Sequence, residues 1–94
     1  MKSVLQKEKQ CWLCGSRYNL HLHHVYGAGC RKNSTKYGLT VYLCQDHHTG
    51  VNGVHSGTTN GKALDELLRR YAQSVFEETH TREEFIRLFI RSNL

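Results

Sequence analysis

The chain has 94 residues, which sets an expectation of one small domain spanning 1–94. Its hydrophobic content of 38% falls below the roughly 45–50% of an average globular domain, so the core is expected to be thin and helped by a structural metal or a partner chain. The net charge is +5, and no apolar run reaches the length of about 18 residues that a membrane-spanning helix needs, so no membrane partner is expected.

The charge is uneven. Residues 1–62 carry eight Lys/Arg against Glu8 and Asp46, whereas residues 63–94 carry five Arg against six Asp/Glu. That asymmetry favours a polyanionic partner, most simply nucleic acid, over an ordinary solvated basic surface. The opening "MKSVLQKEKQ" lacks the apolar stretch of a signal peptide. The expected compartment is therefore the cytoplasm, where thiols stay reduced and four cysteines point to metal before disulfides.

In chain order, residues 1–10 read as a polar lead-in or a short helix. Residues 11–19, "CWLCGSRYN", read as a tight knuckle in which Gly15 supplies the turn. Residues 20–26 alternate as a strand, which puts His21 and His23 on one face and His24 on the other. Residues 27–38, "GAGCRKNSTKYG", read as a glycine-bounded basic loop, and 39–44, "LTVYLC", as a second strand. The stretch from Gln45 begins with helix-compatible residues, but Gly50 and Gly53 argue against a long helix there.

Leu64, Leu67, Leu68, Tyr71, Ala72, Val75 and Phe76 form an apolar stripe of helical period, predicting a helix over 62–79 capped by Asn60 or Thr59. Thr81 and Glu84 stand at capping-box spacing, so a second helix is expected from about Arg82, burying Phe85, Ile86, Leu88, Phe89 and Ile90. These helices, over 62–91, are expected to lid the metal-bearing half and supply most of the core. A dimer or partner surface is the alternative. Trp12, Tyr18, Tyr26, Tyr37 and Tyr42 are expected to pack in the core in preference to stacking on bases.

"CWLC" places Cys11 and Cys14 two residues apart, and "CQDH" places Cys44 and His47 at the same kind of spacing. Two such knuckles can close a tetrahedron of three thiolates and one imidazole around a structural Zn²⁺. The 29 residues between them, 15–43, must hold structure of their own, and two strands with a loop would fit. Cys30 has no paired neighbour. It reads as a loop thiol, its rival role being to replace His47 in an all-cysteine site.

With His47 assigned to zinc, His21, His23, His24, His48 and His55 have no structural task. His48 starts the element after the second strand, from which it can face the strand end carrying His23 and His24. His55 can arrive either on a continuous helix or by a loop return. His21 and His80 read as structural or surface groups.

At this point the chain resembles a family. "HLHHVYG…LCQDHHTGVNGVH" is similar to the HNH, or ββα-metal, endonucleases. The likeness is greatest to small phage-borne members with the pattern HH-apolar-aromatic-G…RK-x-S-x-KYGL…LC-x-x-HH…VH. Residues 31–44, "RKNSTKYGLTVYLC", match it almost continuously, and the phage recombination-enhancement nucleases are a looser likeness. The resemblance covers residues 11–55 and extends more weakly into "FEETHTREEF". It implies an α+β fold with a zinc-knuckle-supported, treble-clef-like ββα-metal core over 11–55 and C-terminal helices. It further implies that His23 ligates a catalytic divalent metal, that His24 is the general base, and that His48 and His55 complete the metal site. Cys11, Cys14, Cys44 and His47 match the structural zinc site of many members. The middle asparagine of the family, which braces the loop between the strands, should fall near Leu39, where this chain has Tyr37-Gly38-Leu39; backbone groups, Asn33 or Ser34 are the alternatives.

The chemistry agrees with that implication. A neutral imidazole with a pKa near 6.5 suits a general base at cellular pH. One Mg²⁺, Mn²⁺, Ni²⁺ or Zn²⁺ can neutralise charge as a phosphodiester is cleaved. Arg31, Lys32 and Lys36 are placed to grip flanking phosphates. The expected function is metal-dependent hydrolysis of DNA by a phage or prophage enzyme, with a host recombination protein as a further partner. The rivals are a non-catalytic zinc module that binds nucleic acid or a protein, and a histidine-rich metal-handling protein.

Overall fold

A computed structural model of the chain describes residues 2–94. The elements run β1 (Leu20–His24), α1 (Arg31–Lys36), β2 (Thr40–Cys44), α2 (Gln45–His48), α3 (Thr59–Phe76) and α4 (Arg82–Phe89). The two strands form an antiparallel hairpin in which Leu20 faces Cys44 and His24 faces Thr40. This is a small α+β architecture, as the sequence predicts.

The hairpin register sorts the side chains. His21 and His23 share a face with Leu43 and Val41, both fully buried, so this is the core side. Leu20, Leu22 and His24 share the other face with Cys44, Tyr42 and Thr40, and Leu22 there is half exposed.

Among the described residues the N-terminal segment forms no helix. It runs as a strap along the outer edge of β2, whose backbone groups would otherwise be unpaired. Gln6 Oε1 accepts from Tyr42 N at 2.9 Å, Trp12 N donates to Tyr42 O at 2.8 Å, and Ser3 Oγ donates to Thr40 O. Leu5 is buried, whereas the adjacent Val4 is 44% exposed, so Leu5 is the side chain that pins the strap.

The basic segment expected as a loop contains α1. Ser34 accounts for it: fully buried, its Oγ donates to Tyr26 O at 2.7 Å and accepts from Tyr26 N at 3.2 Å. Val25 N donates to Leu39 O and Leu39 N to Ser34 O, closing α1 against both strand ends. Of the three expected ways to brace this region, Ser34 and backbone groups hold β1, whereas Asn33 bonds outward to Leu88 O at 2.9 Å.

Helix α3 starts earlier than expected and ends earlier. Its cap is Thr58, whose side chain accepts from Gly61 N at 3.1 Å, rather than Thr59 or Asn60. Leu64, Leu68, Ala72 and Phe76 are buried, but Leu67 and Tyr71 lie at the margin, 50% and 38% exposed, because the stripe is wider than the surface it covers. In α4 the Thr81/Glu84 capping box forms as expected. Phe85 and Phe89 are buried, but Ile86 is 42% and Ile90 73% exposed: the helix stops at Phe89, and Ile90 leaves the buried face with φ at 80°.

The two long helices close the core from one side. Tyr26 stacks edge-on with Phe85 at 5.2 Å and lies 4.8 Å from Phe89, while Phe76 meets Phe85 at 5.5 Å. Tyr26 OH also donates to Arg69 O on α3. His80 stacks on Phe76 at 4.3 Å and is structural, as expected. Tyr18 and Tyr42 depart from expectation: Tyr18 is 80% exposed on the loop after the knuckle, Tyr42 is half-buried on the outer face of the hairpin opposite Leu22, and neither packs in the core. No helix among the described residues is long and apolar enough to cross a membrane.

Candidate functional site

The first cluster forms where the knuckle after the strap meets the start of α2. Cys11 N donates to Ser16 O at 2.7 Å and Gly15 N to Cys11 O at 2.8 Å, a turn that Gly15 permits with φ at 77°. Cys44 ends β2, and one turn of α2 carries His47 back toward it. One ligand atom from each of Cys11, Cys14, Cys44 and His47 lies within 4.8 Å of the others.

The separations fit one ion. Ligands bound tetrahedrally at about 2.3 Å (S) and 2.0–2.1 Å (N) stand about 3.8 Å apart for S···S and about 3.6 Å for S···N. Cys14 Sγ is 3.8 Å from Cys44 Sγ, and His47 Nδ1 is 3.7 Å from Cys11 Sγ and 3.2 Å from Cys44 Sγ. Burial pushes the Cys11 thiol up, but backbone donors at Cys14, Cys44 and Leu13 and the His47 side chain outweigh it and bring it from 9.0 to about 6. A thiol so disposed is ready to serve as a thiolate ligand. The four residues can therefore hold a metal such as zinc. Cys30 takes no part: it is buried at the start of α1, outside the cluster.

The second cluster lies on the core side of β1. His23, His48 and His55 each offer a nitrogen within 4.8 Å of the others, with ring centroids 4.8–5.3 Å apart. His48 ends α2. His55 does not continue that helix but returns by a loop, in which His55 N donates to His48 O and Val54 N to His47 O, both at 3.1 Å. Two glycines make this return possible: a Cβ on Gly53 would sit 2.5 Å from His48 O, and one on Gly61 2.1 Å from Gly53 O.

His23 is 4% exposed, and its Nε2 is buried with no hydrogen-bond partner. Burial first, then the neighbouring His48 and His55, lowers its pKa from 6.5 to about 3, so the ring is neutral with a lone pair to offer. Burial, His55 and His21 lower His48 likewise. A buried imidazole nitrogen without a partner, facing two further imidazoles, fits a divalent cation better than it fits a packed core.

His24 points to the other face, toward α1. Its Nε2 is 3.0 Å from Thr35 Oγ1, which in turn donates its only proton to Arg31 O at 3.1 Å. With the Thr35 proton on Arg31 O, His24 is the donor in the first contact, an arrangement that puts its proton on Nε2 and leaves Nδ1 as the basic nitrogen; with the Thr35 proton on His24, the tautomer is reversed. Burial and the Arg31 charge lower its pKa, keeping the ring neutral at neutral pH.

No family model, curated protein or solved structure matches the chain.

Arg31, Lys32 and Lys36 are exposed on α1, where with Gly29 and Thr35 they line an open cavity of about 740 Å³. None of the three is in an ion pair among the described residues. Of these cations Arg31 acts on His24 directly, and Lys32 and Lys36 stand on the same helix.

The structure brings the four knuckle residues together and His23 together with His48 and His55; His24 lies on the opposite face of β1 near Arg31, and Lys32 and Lys36 stand further along α1 without a contact to it. Sequence reasoning missed two side chains. Thr35 orients His24, and nothing in its local pattern singles it out. His21 makes a close contact with His48, and the alternation that puts it on the His23 face was the available signal.

Proposed function

We propose that the protein is a metal-dependent endonuclease of the HNH type, hydrolysing DNA phosphodiester bonds. The observation that carries this reading is the buried, unpartnered Nε2 of His23 facing His48 and His55, one residue from a histidine that meets Thr35 through Nε2. In this reading His23, His48 and His55 hold one divalent cation, and Cys11, Cys14, Cys44 and His47 hold a structural Zn²⁺.

His24 accepts a proton from the attacking water at Nδ1, while Thr35 holds the ring through Nε2. Arg31, Lys32 and Lys36 fix the flanking phosphates from α1. The cation, when bound, neutralises charge developing on the scissile phosphate and the leaving oxygen. With one base per chain, strands are cut one at a time. A phage or prophage origin, a host recombination protein as partner and a cytoplasmic setting belong to the same proposal.

A non-catalytic zinc module that binds nucleic acid is the second reading. The observation that favours it is the placement of His23 and His24 on opposite faces of β1. Plasmid conversion and metal counting separate the two. The nuclease reading expects nicked circles with Mg²⁺, Mn²⁺ or Ni²⁺ and two ions per chain. One ion per chain and DNA binding without nicking would replace it with the module.

A further inference from the structure

His21 lies outside the three-histidine cluster, yet its Nδ1 stands 2.8 Å from Nδ1 of His48. The rings meet at 81°, with centroids 5.0 Å apart. Two nitrogens bound to one tetrahedral ion at about 2.0–2.1 Å would stand about 3.3 Å apart. The observed separation is shorter and falls in hydrogen-bonding range.

A hydrogen bond between two imidazole nitrogens holds one proton, and there are two ways to place it. If His21 donates, Nδ1 of His48 is used as the acceptor and its proton sits on Nε2, so neutral His48 keeps no lone pair for an ion. If His48 donates, its Nε2 is bare and His21 carries its own proton on Nε2. Only the second arrangement lets His48 serve in the cluster.

We propose that His21 is a positioning residue for the histidine ion site: it accepts the Nδ1–H of His48, holds that ring, and presents Nε2 to the cation. This rests on the reading that His23, His48 and His55 bind a divalent ion. The β1 geometry supports it. His21 and His23 alternate onto one face, so a single strand delivers one ligand and the group that orients another. His21 stands opposite Leu43, which is fully buried, so its backbone position is set by the hairpin core.

The test uses full-length protein with the knuckle zinc loaded. Wild type, His21→Leu and His21→Gln are titrated with Zn²⁺ and Ni²⁺ against a competing chelator, and long-range ¹⁵N–¹H spectra of the doubly zinc-loaded protein report the His48 tautomer. The expected result is an Nδ1–H His48, a second-ion affinity about 10–100-fold weaker in His21→Leu, and recovery in His21→Gln, whose amide oxygen can accept. Retained knuckle zinc and an unchanged circular dichroism spectrum show that the variants fold. Unchanged affinity in His21→Leu overturns the proposal alone, as does an equal loss in both variants or a His21 ring that itself ligates. No second-ion uptake by wild type overturns the proposal together with the histidine ion site.

Discussion

Replacing His23 by leucine separates a ligand from a core histidine. The side chain is 4% exposed, with Val41 opposite it in the hairpin and a buried Nε2 that lacks a partner. An unsatisfied buried polar group costs about 1–3 kcal/mol, and an apolar residue of similar size removes that cost at a repacking penalty under about 1.5 kcal/mol. With the knuckle zinc present and no other divalent ion, His23→Leu is therefore expected to be more stable than wild type by about 1 kcal/mol. For a domain of this size that is a rise of roughly 4–8 °C in melting temperature. Adding Ni²⁺ or Mn²⁺ reverses the order: an ion at about one hundred times its Kd stabilises wild type by about 2.7 kcal/mol and leaves the variant unmoved. The assay is thermal unfolding followed by circular dichroism, with and without the second ion. A variant less stable than wild type by about 2 kcal/mol in the ion-free arm would refute the reasoning, because His23 would then be a satisfied core group.

Three further outcomes follow from other parts of the molecule. Cys44→Ser, or removal of zinc by a strong chelator, is expected to unfold the chain, because structural zinc contributes about 10–16 kcal/mol against a typical domain stability of about 5–15 kcal/mol; the readout is loss of the far-ultraviolet dichroism. Ser34→Ala leaves Tyr26 N and Tyr26 O without their partner and is expected to cost about 2–4 kcal/mol in denaturant unfolding. Replacing Lys32 and Lys36 together by alanine is expected to weaken DNA binding regardless of sequence. It should also lower the salt slope of the affinity by about 1 for each phosphate left without its cation, as measured by fluorescence anisotropy across salt concentrations.

What the sequence revealed and what it hid follow from the range of the interactions. The paired spacings of Cys11 with Cys14 and Cys44 with His47 are local, and they meet in space because a five-residue antiparallel hairpin returns one knuckle to the other. The Thr81/Glu84 capping box is equally local and forms as read. Helix α1 was hidden because "RKNSTK" has little helical preference of its own; it is held by the side chain of Ser34 bonding across to Tyr26. The strap was hidden because its hydrogen bonds go to the edge of β2, more than thirty residues away. His55 was readable as a residue but not as a route, since its return depends on two glycines packing against backbone. The contact of His21 with His48 was concealed because its partner lies 27 residues on.

The catalytic claim rests on His24, and its direct test is nicking of supercoiled plasmid by wild type and His24→Ala, each verified to carry knuckle zinc and a second divalent ion. The account predicts that wild type converts plasmid to nicked circles and that the variant, with its metals intact, is slower by about 10²–10⁴-fold. Equal nicking by the two fully metal-loaded proteins would contradict it.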